Sequence, residues 1–295
     1  MSKNHNPYLS KKMRLMKMTG GLGNQMFIYA FYLQMRHRFA DTRIDISDIC
    51  NKHEHNGFEL NDIFELDAQY VHWPAWFKKM AKFLFFKEID ERKEDIATTG
   101  VFKRNFSWPF IYYKGFYQSE LFFKDVEAEV RAAFRFNRDK ANNYSREIAK
   151  EIQADAHAVS FHVRRGDYFK PKFFKRFGSV CPTSYYQQAA EKILALDPQA
   201  HFYLFSDDTE WVKENLQLPN VTIVNGNRGK DSWQDMMLMS LCRYHVIPNS
   251  TFSWWGAWLD DRKDKVVITP QKWFGDCDLP YIIPEGWTKI AGDQA

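Results

Sequence analysis

Short apolar runs alternate with helix-length segments throughout the second half of the chain. The runs cover residues 158–163, 201–205, 221–224, 245–247 and 265–269, and helices are predicted at 183–196, 209–215, 233–242 and 252–260. Strands that alternate with helices at this spacing indicate a parallel sheet whose strands are joined by right-handed crossovers. We therefore predict an α/β domain in this half.

The first half begins in the same way and then becomes irregular. Residues 14–18 predict a strand, 19–24 a glycine turn, 25–39 a helix, 42–47 and 111–117 strands, and 120–136 a helix. The least structured connection runs from 136 to 143. We therefore place an N-terminal domain at 14–140, a C-terminal domain at 141–275 and a C-terminal tail at 276–295.

Polar residues follow the strands of the second half at the point where each strand ends. These clusters lie at 164–167, 206–208, 225–227 and 249–253. In an open parallel sheet, ligands bind at the carboxyl ends of the strands. The clusters therefore predict a ligand site along one edge of the C-terminal sheet.

Two adjacent arginines, Arg164 and Arg165, end the strand at 158–163. Arginine can bind phosphate oxygens through two N–H groups at once. Successive side chains leave a strand in opposite directions, so we expect one guanidinium to face the ligand and the other to pair with a carboxylate. Asp167 can hold a guanidinium or accept a proton. A surface salt-bridge turn is the structural alternative.

The clusters at 206–208 and 249–253 offer partners for a nucleotide. Asp207 and Asp208 can accept hydrogen bonds from a guanine or from ribose hydroxyls. They can also cap the following helix or hold a divalent cation, although no third acid lies close in sequence. Ser250 and Thr251 open a helix at which a phosphate can bind, and Phe252 can stack on a base. The three tryptophans after them are predicted to lie in the core.

The glycine turn TGGLGN at 19–24 lets backbone amides approach a phosphate. Gly21 and Gly23 match the first two glycines of the dinucleotide fingerprint, and Asp45 stands where an acid would bind a ribose. The third glycine is missing, so a nicotinamide oxidoreductase is the weaker interpretation. Asn24 can cap the helix or point into a cleft.

Composition limits the choice of partners. The chain has 295 residues, 45% of them hydrophobic, and a net charge of +4, which is too small to indicate nucleic acid but suits an anionic ligand. The four cysteines have neither metal-ligand nor disulfide spacing, and no signal-peptide pattern begins the chain. We therefore expect a cytoplasmic protein. His53 and His55 lack the spacing of a zinc site.

Residues 73–87, WPAWFKKMAKFLFFK, predict an amphipathic helix. Trp76, Phe77, Met80 and Leu84 form one side and lysines form another. The favoured interpretation is a helix packed against the rest of the N-terminal domain. Peripheral contact with the inner face of a membrane, or a lid over an acceptor, are the alternatives.

Five motifs occur in the order TGGLGNQMFIYA, GFYQSELFF, FHVRRGDY, FSDDTEW and IPNSTFSWWGAWL. Together they resemble the bacterial α1,2-fucosyltransferases of glycosyltransferase family 11, from about residue 17 to residue 273. The resemblance implies a GT-B-like fold, in which two Rossmann-type domains face each other across a cleft. The C-terminal domain would bind GDP-fucose and the N-terminal domain a galactose-terminated glycan.

The resemblance also implies roles for individual residues. Arg164 would bind the β-phosphate, and Asn24 would lie near the reacting centre. His162 with Asp207 or Asp208 would hold the nucleoside, and Ser250, Thr251 and Phe252 would close over it. The complete set of expected donor-binding residues is Gly21, Gly23, His162, Arg165, Ser206, Asp207, Asp208, Asn249, Ser250, Thr251, Phe252 and Ser253.

Transfer from GDP-β-L-fucose to give an α-linkage inverts the anomeric centre, and we expect it to need no metal or other cofactor. The sequence does not identify the general base: Asp167 is a candidate, but it can instead orient Arg165. Two alternatives stay open. One is another inverting fucosyltransferase acting on a protein or chitin-like acceptor, and the other is a non-catalytic nucleotide-sugar-binding protein.

Overall fold

Each half of the chain forms its own parallel β-sheet in the computed structural model, which describes residues 12–51, 56–91 and 108–292. The chain divides into two units, Met1–Arg135 and Phe136–Ala295. The predicted α/β class is therefore confirmed, with one parallel sheet in each unit. His53 and His55 lie outside the described residues.

The first unit is built around strand β1 and the glycine turn that follows it. Its described elements are β1 (Met13–Lys17), α1 (Leu22–Arg38), β2 (Thr42–Asp45), α2 (Ser47–Asn51), α3 (Leu60–Ile63), β3 (Tyr70–Val71), α4 (Ala75–Leu84), β4 (Lys87–Asp90), β5 (Phe110–Lys114) and α5 (Glu127–Ala133). These strands pair in parallel in the order β3-β2-β1-β5-β4. The turn after β1 therefore lies at the carboxyl edge of the central strand.

Helix α1 is buried along most of its length. From Leu22 to Met35 every residue except Asn24 is buried. The helix packs its aromatic residues into the unit, for example Phe31, whose ring stacks on Tyr117 at a centroid distance of 4.0 Å. A helix that is apolar on nearly all sides belongs in a core. The half-exposed side chain of Asn24 departs from this pattern, which makes Asn24 a candidate functional residue.

The second unit has the strand order of a doubly wound α/β fold. Its described elements are α6 (Asn143–Ala154), β6 (Ala158–Val163), α7 (Pro171–Phe173), α8 (Thr183–Leu196), β7 (His201–Ser206), α9 (Thr209–Asn215), β8 (Val221–Val224), α10 (Trp233–Met239), β9 (Tyr244–Val246), α11 (Thr251–Leu259), β10 (Val266–Pro270) and β11 (Thr288–Ile290). They pair in parallel in the order β11-β10-β9-β6-β7-β8. All six residues of β6 are buried, as expected for a central strand with helices on both faces.

The strand order reverses between β6 and β9. From β6 the chain winds outward through β7 and β8, and from β9 it winds the other way through β10 and β11. The loops after β6 and β9 therefore leave the sheet in opposite directions and open a crevice at its carboxyl edge. The arginine pair follows β6 and the Asn-Ser-Thr cluster follows β9, so both candidate motifs flank this crevice.

Two features of the domain division differ from the expected one. The segment from Phe136 belongs to the second unit, where the Phe136 ring stacks on Trp233 at 5.9 Å. The expected C-terminal tail is part of the sheet, because β11 pairs with β10 through Ile268, Thr269 and Pro270. Strand β11 is only three residues long, which is too short for a hydrophobic pattern to predict a strand from the sequence.

Helix α4 confirms the predicted helix, but it packs through the side that carries Lys78 and Lys82. Lys78 and Ala81 are its buried residues, while Trp76, Met80 and Leu84 are exposed. A periodic pattern separates two sides of a helix but does not say which side faces the unit. Among the described residues, none of the helices combines the length and apolar character needed to cross a membrane.

Candidate active site

The Arg164 guanidinium is held by two carboxylates at the carboxyl end of β6. Its Nη2 lies 2.7 Å from Asp167 Oδ1 and its Nη1 lies 2.9 Å from Asp207 Oδ2. Burial lowers the pKa of Arg164, but the charges of Asp207 and Asp167 outweigh burial and raise it, so the group stays cationic. The alternative that Asp167 orients Arg165 is wrong, because its bond goes to Arg164.

Arg165 is fixed in a different environment. Its Nε donates to Asp208 Oδ2 at 3.1 Å, and its guanidinium lies between the rings of Phe169 and Trp211, 3.9 Å from each centroid. Cation–π contacts with two aromatic rings, together with the ion pair, hold this side chain in place. Both arginines therefore pair with carboxylates, so ion pairing does not distinguish a ligand-facing guanidinium from a structural one as we expected.

Gly166 permits the close approach of the loops after β6 and β7. Its φ is +20°, and a Cβ built on it would overlap Asp207 Oδ2. The Arg165 amide donates to Asp207 Oδ1 at 2.9 Å. Asp207 therefore bridges the backbone of one arginine and the side chain of the other, which makes it a positioning residue for Arg164.

Asp208 and Ser206 have structural contacts of their own. The Asp208 carboxylate caps α9 by accepting from the Trp211 amide at 3.2 Å, and the Asp208 amide donates to the Ser206 hydroxyl at 3.0 Å. The predicted helix cap is therefore confirmed. Among the described residues there is no group of three or more His, Cys, Asp and Glu side chains that could hold a metal ion.

His162 lies near the end of β6 as a neutral imidazole. Burial, and secondarily the charge of Arg164, lowers its pKa to about 3. Its Nδ1 is buried and has no hydrogen-bond partner within the described part of the chain. Its ring lies 6.2 Å from that of the half-buried Phe252. An unpaired buried polar atom is costly, so a ligand atom that bonds Nδ1 would gain affinity.

The cluster after β9 contains three buried residues, Asn249, Ser250 and Ser253, and two half-buried ones, Thr251 and Phe252. Asn249 is buried, and its amide donates to Phe177 O at 3.3 Å and to Trp273 O at 3.1 Å. Ser253 is also buried and donates to Ser250 O at 3.4 Å. These two side chains secure the loop. Ser250 is also buried and is the N-cap residue of α11, whereas Thr251 and Phe252 begin the helix and are half-buried. Tyr168 ties the two loops together by donating to Asn249 O at 3.1 Å.

In the first unit, the glycine turn presents Asn24. Gly20 has φ +82°, and a Cβ there would lie 2.8 Å from Asn24 Nδ2. Asn24 Oδ1 accepts from Gln118 Nε2 at 2.7 Å. Gly21 precedes α1 as its N-cap and Gly23 is buried inside the helix. The turn therefore places one polar amide at the carboxyl edge of the sheet, paired with a second amide from the loop after β5.

The loop that carries Gln118 is held under strain by a residue the sequence does not reveal. Glu91 Oε2 accepts from the amides of Phe116 at 2.7 Å and Tyr117 at 2.9 Å. Tyr117 has φ +53°, which is uncommon for a bulky residue and is typical of functional loops. Gln118 lies within the motif GFYQSELFF, which is the sequence signal for this loop.

Asp45 is part of the interior of the first unit. It is fully buried, and its Oδ2 lies 2.7 Å from the Tyr112 hydroxyl and 2.8 Å from Lys78 Nζ. Its Oδ1 accepts from the Ser47 amide at 2.9 Å. The acid that would bind a ribose in a dinucleotide site is therefore occupied by the protein itself. This removes the main residue that favoured an oxidoreductase.

Ligands of doubly wound sheets bind at the switch point, and arginine is well suited to binding phosphate groups. The sequence matches the model of glycosyl transferase family 11 over residues 2–288. The chain belongs to this family of glycosyltransferases.

Relatives of known description agree with this assignment. The chain is 30% identical to an alpha-1,2-colitosyltransferase of Escherichia coli over 93% of this chain and 97% of that protein. It is 28% identical to the O-antigen biosynthesis glycosyltransferase WbnK of Escherichia coli over 92% and 99%. It is also 28% identical to the galactoside alpha-(1,2)-fucosyltransferase 1 of Homo sapiens, over 51% of this chain and 43% of that protein. The chain is therefore a fucosyltransferase-like glycosyltransferase similar to α1,2-transferases.

Proposed function

We propose that the protein is an inverting galactoside α1,2-fucosyltransferase. It would move L-fucose from GDP-β-L-fucose to the 2-hydroxyl of a terminal galactose. The observation that carries the proposal is Arg164, which lies at the end of β6 beside the switch point and is fixed there by Asp167 and Asp207. The descriptions of the relatives support the α1,2 linkage, the fucosyl group and the galactose acceptor.

Arg164 would stabilise the departing nucleotide. Displacement of the anomeric oxygen passes through an oxocarbenium-like transition state, and negative charge builds on the β-phosphate. A guanidinium has five N–H donors, and the two ion pairs use one on Nη1 and one on Nη2. The Nε–H and one N–H on each Nη would remain for phosphate oxygens. The carboxylates hold the plane of the fork, so little reorganisation is needed as charge develops.

The nucleoside would bind beside Arg164. His162 would offer its unpaired Nδ1 to a polar edge of the base or ribose, and Phe252 would contact the base. Ser250 and Thr251 at the start of α11 would bind phosphate through hydroxyl and amide groups. Asp208 is already engaged by Arg165 and α9, so it would act on the site through Arg165.

The acceptor hydroxyl needs a base, which we leave unassigned. The Asp167 carboxylate is bound to Arg164, which favours a positioning role for it over proton abstraction. Because one relative is an O-antigen biosynthesis glycosyltransferase, we propose a surface polysaccharide as the natural acceptor. We also propose that transfer takes place in the cytoplasm, at the inner face of the membrane.

Incubation with labelled GDP-fucose and lactose tests the reaction directly. We expect equimolar GDP and fucosyl-lactose with an α1,2 linkage, at a rate that EDTA leaves nearly unchanged. Colitose, which lacks the 3-hydroxyl of L-fucose, is the competing donor sugar because the 30% identical relative is a colitosyltransferase. A clear preference for nucleotide-linked colitose would replace fucose in the proposal. GDP binding without any transfer would favour a non-catalytic nucleotide-sugar-binding protein. Transfer only to a protein or chitin-like acceptor would favour an inverting fucosyltransferase of different acceptor specificity.

GDP should slow amide exchange in the second unit. We expect protection at 161–167, 205–208 and 249–253, because these stretches carry the residues at the ends of β6, β7 and β9. Hydrogen exchange with and without GDP, read by mass spectrometry, measures it. Adenosine diphosphate serves as the matched control nucleotide. Protection confined to 18–26 would assign the donor to the first unit.

Asn24→Ala should reduce turnover more than it weakens GDP binding. Asn24 belongs to the first unit and pairs with Gln118, so we expect it to contact the sugar or the acceptor. Steady-state kinetics and calorimetric titration with GDP give the two quantities. Gln118→Ala is the companion variant and should lower kcat in the same direction. Equal losses of GDP affinity and rate would move Asn24 to the donor site.

A further inference from the structure

The exposed side of α4 is apolar and aromatic. Six large apolar side chains, each at least two-fifths exposed, lie on this helix and the residues next to it: Trp76, Met80, Phe83, Leu84, Phe85 and Trp108. Phe83 is 88% exposed and Trp76 is 69% exposed. Trp108 is joined to the end of the helix through its indole N–H, which donates to Phe85 O at 3.4 Å. We call these six residues the α4 patch.

The orientation of α4 is fixed from within the unit. Lys78 Nζ lies 2.8 Å from Asp45 and 2.7 Å from Asp48, and Lys82 Nζ lies 2.6 Å from Glu88 and over the Tyr112 ring at 4.5 Å. Turning the helix over would bring the apolar side inward but would break these ion pairs. The exposed apolar side is therefore a stable feature of the fold.

We propose that the α4 patch docks the protein onto an anionic lipid surface. Large exposed apolar clusters mark interaction sites, and tryptophan and phenylalanine beside lysine are typical of helices that lie in a membrane interface. Lys79 within α4 and Lys87, three residues after its end, are both exposed, and α4 itself contains no acidic residue. The exposed lysines would attract anionic headgroups.

A second copy of the chain fits the patch less well. Face-to-face pairing would bring the exposed Lys79 and Lys87 of both copies toward one another, with no acid on α4 to offset them. A lipid surface has no such conflict, because it supplies apolar chains and negative charge together. Docking in this way would hold the first unit at the membrane without a spanning segment.

Flotation with lipid vesicles tests the proposal without any turnover, so its outcome does not depend on the proposed reaction. The wild-type chain should float with vesicles of equal parts phosphatidylglycerol and phosphatidylcholine, and much less with phosphatidylcholine alone. Trp76→Ser combined with Phe83→Ser should lower the partition coefficient at least about tenfold, because two interfacial aromatic side chains are lost. Lys79→Glu should lower it several-fold at low salt.

The matched control removes exposed apolar groups elsewhere: Leu196→Ser combined with Val221→Thr should bind vesicles like the wild type. Thermal unfolding and transfer to soluble lactose should be unchanged in the patch variant, which separates docking from folding. Absence of wild-type binding, or equal binding by the patch variant, overturns the proposal. Sedimentation showing a wild-type dimer that the patch variant dissociates would assign the patch to a second copy instead.

Discussion

Arg164→Lys should lower kcat about a hundredfold or more while the protein remains folded. Lysine keeps the charge but has no planar fork, so it cannot donate to two phosphate oxygens while holding Asp167 and Asp207. The expected loss of transition-state stabilisation is about 2–4 kcal/mol, comparable with the loss of an oxyanion donor. Steady-state kinetics with GDP-fucose and lactose, beside thermal unfolding, measure both effects.

Arg165→Lys is the matched control for this variant. The Arg165 guanidinium contacts the rings of Phe169 and Trp211 and is bonded to Asp208. Its replacement should therefore lower the thermal stability, and it should lower kcat much less than Arg164→Lys does. Transfer by Arg164→Lys at close to the wild-type rate would remove Arg164 from the mechanism. A rate abolished by EDTA and restored by manganese or magnesium would show that a cation takes the role we assign to the guanidinium.

Asp45→Asn should destabilise the first unit by about 2–4 kcal/mol. The variant leaves Lys78 buried without its central carboxylate, and removal of one member of a buried ion pair is strongly destabilising. Asp48 remains bonded to Lys78 and limits the loss. Urea unfolding at neutral pH measures the change. Asp67→Asn, which alters an exposed pair with Arg36, should change stability by less than about 0.5 kcal/mol.

The same cluster predicts an acid-side loss of stability. Burial raises the pKa of Asp45, but hydrogen bonds from Lys78, Ser47 and Tyr112 outweigh burial and lower it. Burial also raises the pKa of Asp48, but hydrogen bonds from Lys17 and Lys78 outweigh burial and lower this pKa to about 2. A lowered folded-state pKa gives stability that is present above the unfolded value of 3.8 and is lost as pH falls toward 2. Asp45→Asn should therefore show a smaller acid-induced loss than the wild type, and an equal loss would contradict this account.

The sequence predicts the sheets and the edge that carries the candidate site because both depend on local patterns. Alternating strands and helices indicate parallel pairing, and acids or hydroxyls at strand ends indicate caps such as Asp208. The sequence does not show which way a side chain points or which side of a helix packs against the rest of the unit. A polar residue at a strand end can point inward, as Asn249 does, and a periodic helix can pack through its lysines, as α4 does.

Long-range partners are the second source of error. Glu91 holds the amides of Phe116 and Tyr117, and Gln118 meets Asn24 across most of the first unit's sequence. No local rule relates residues so far apart. Asp45 is the instructive case: its position after a glycine turn suggests a ribose contact, and only the tertiary structure reveals that Lys78 and Tyr112 occupy it.

The reversal of strand order also has a consequence for synthesis and folding. Phe161 in β6 pairs with Val246 in β9, so one edge of the fully buried β6 has no partner until the chain has been made far beyond residue 200. Such non-local pairing is slow, and an uncovered apolar strand edge recruits other chains. A fragment that stops before β9 should therefore aggregate rather than fold, and co-expression of the missing C-terminal piece should rescue its solubility.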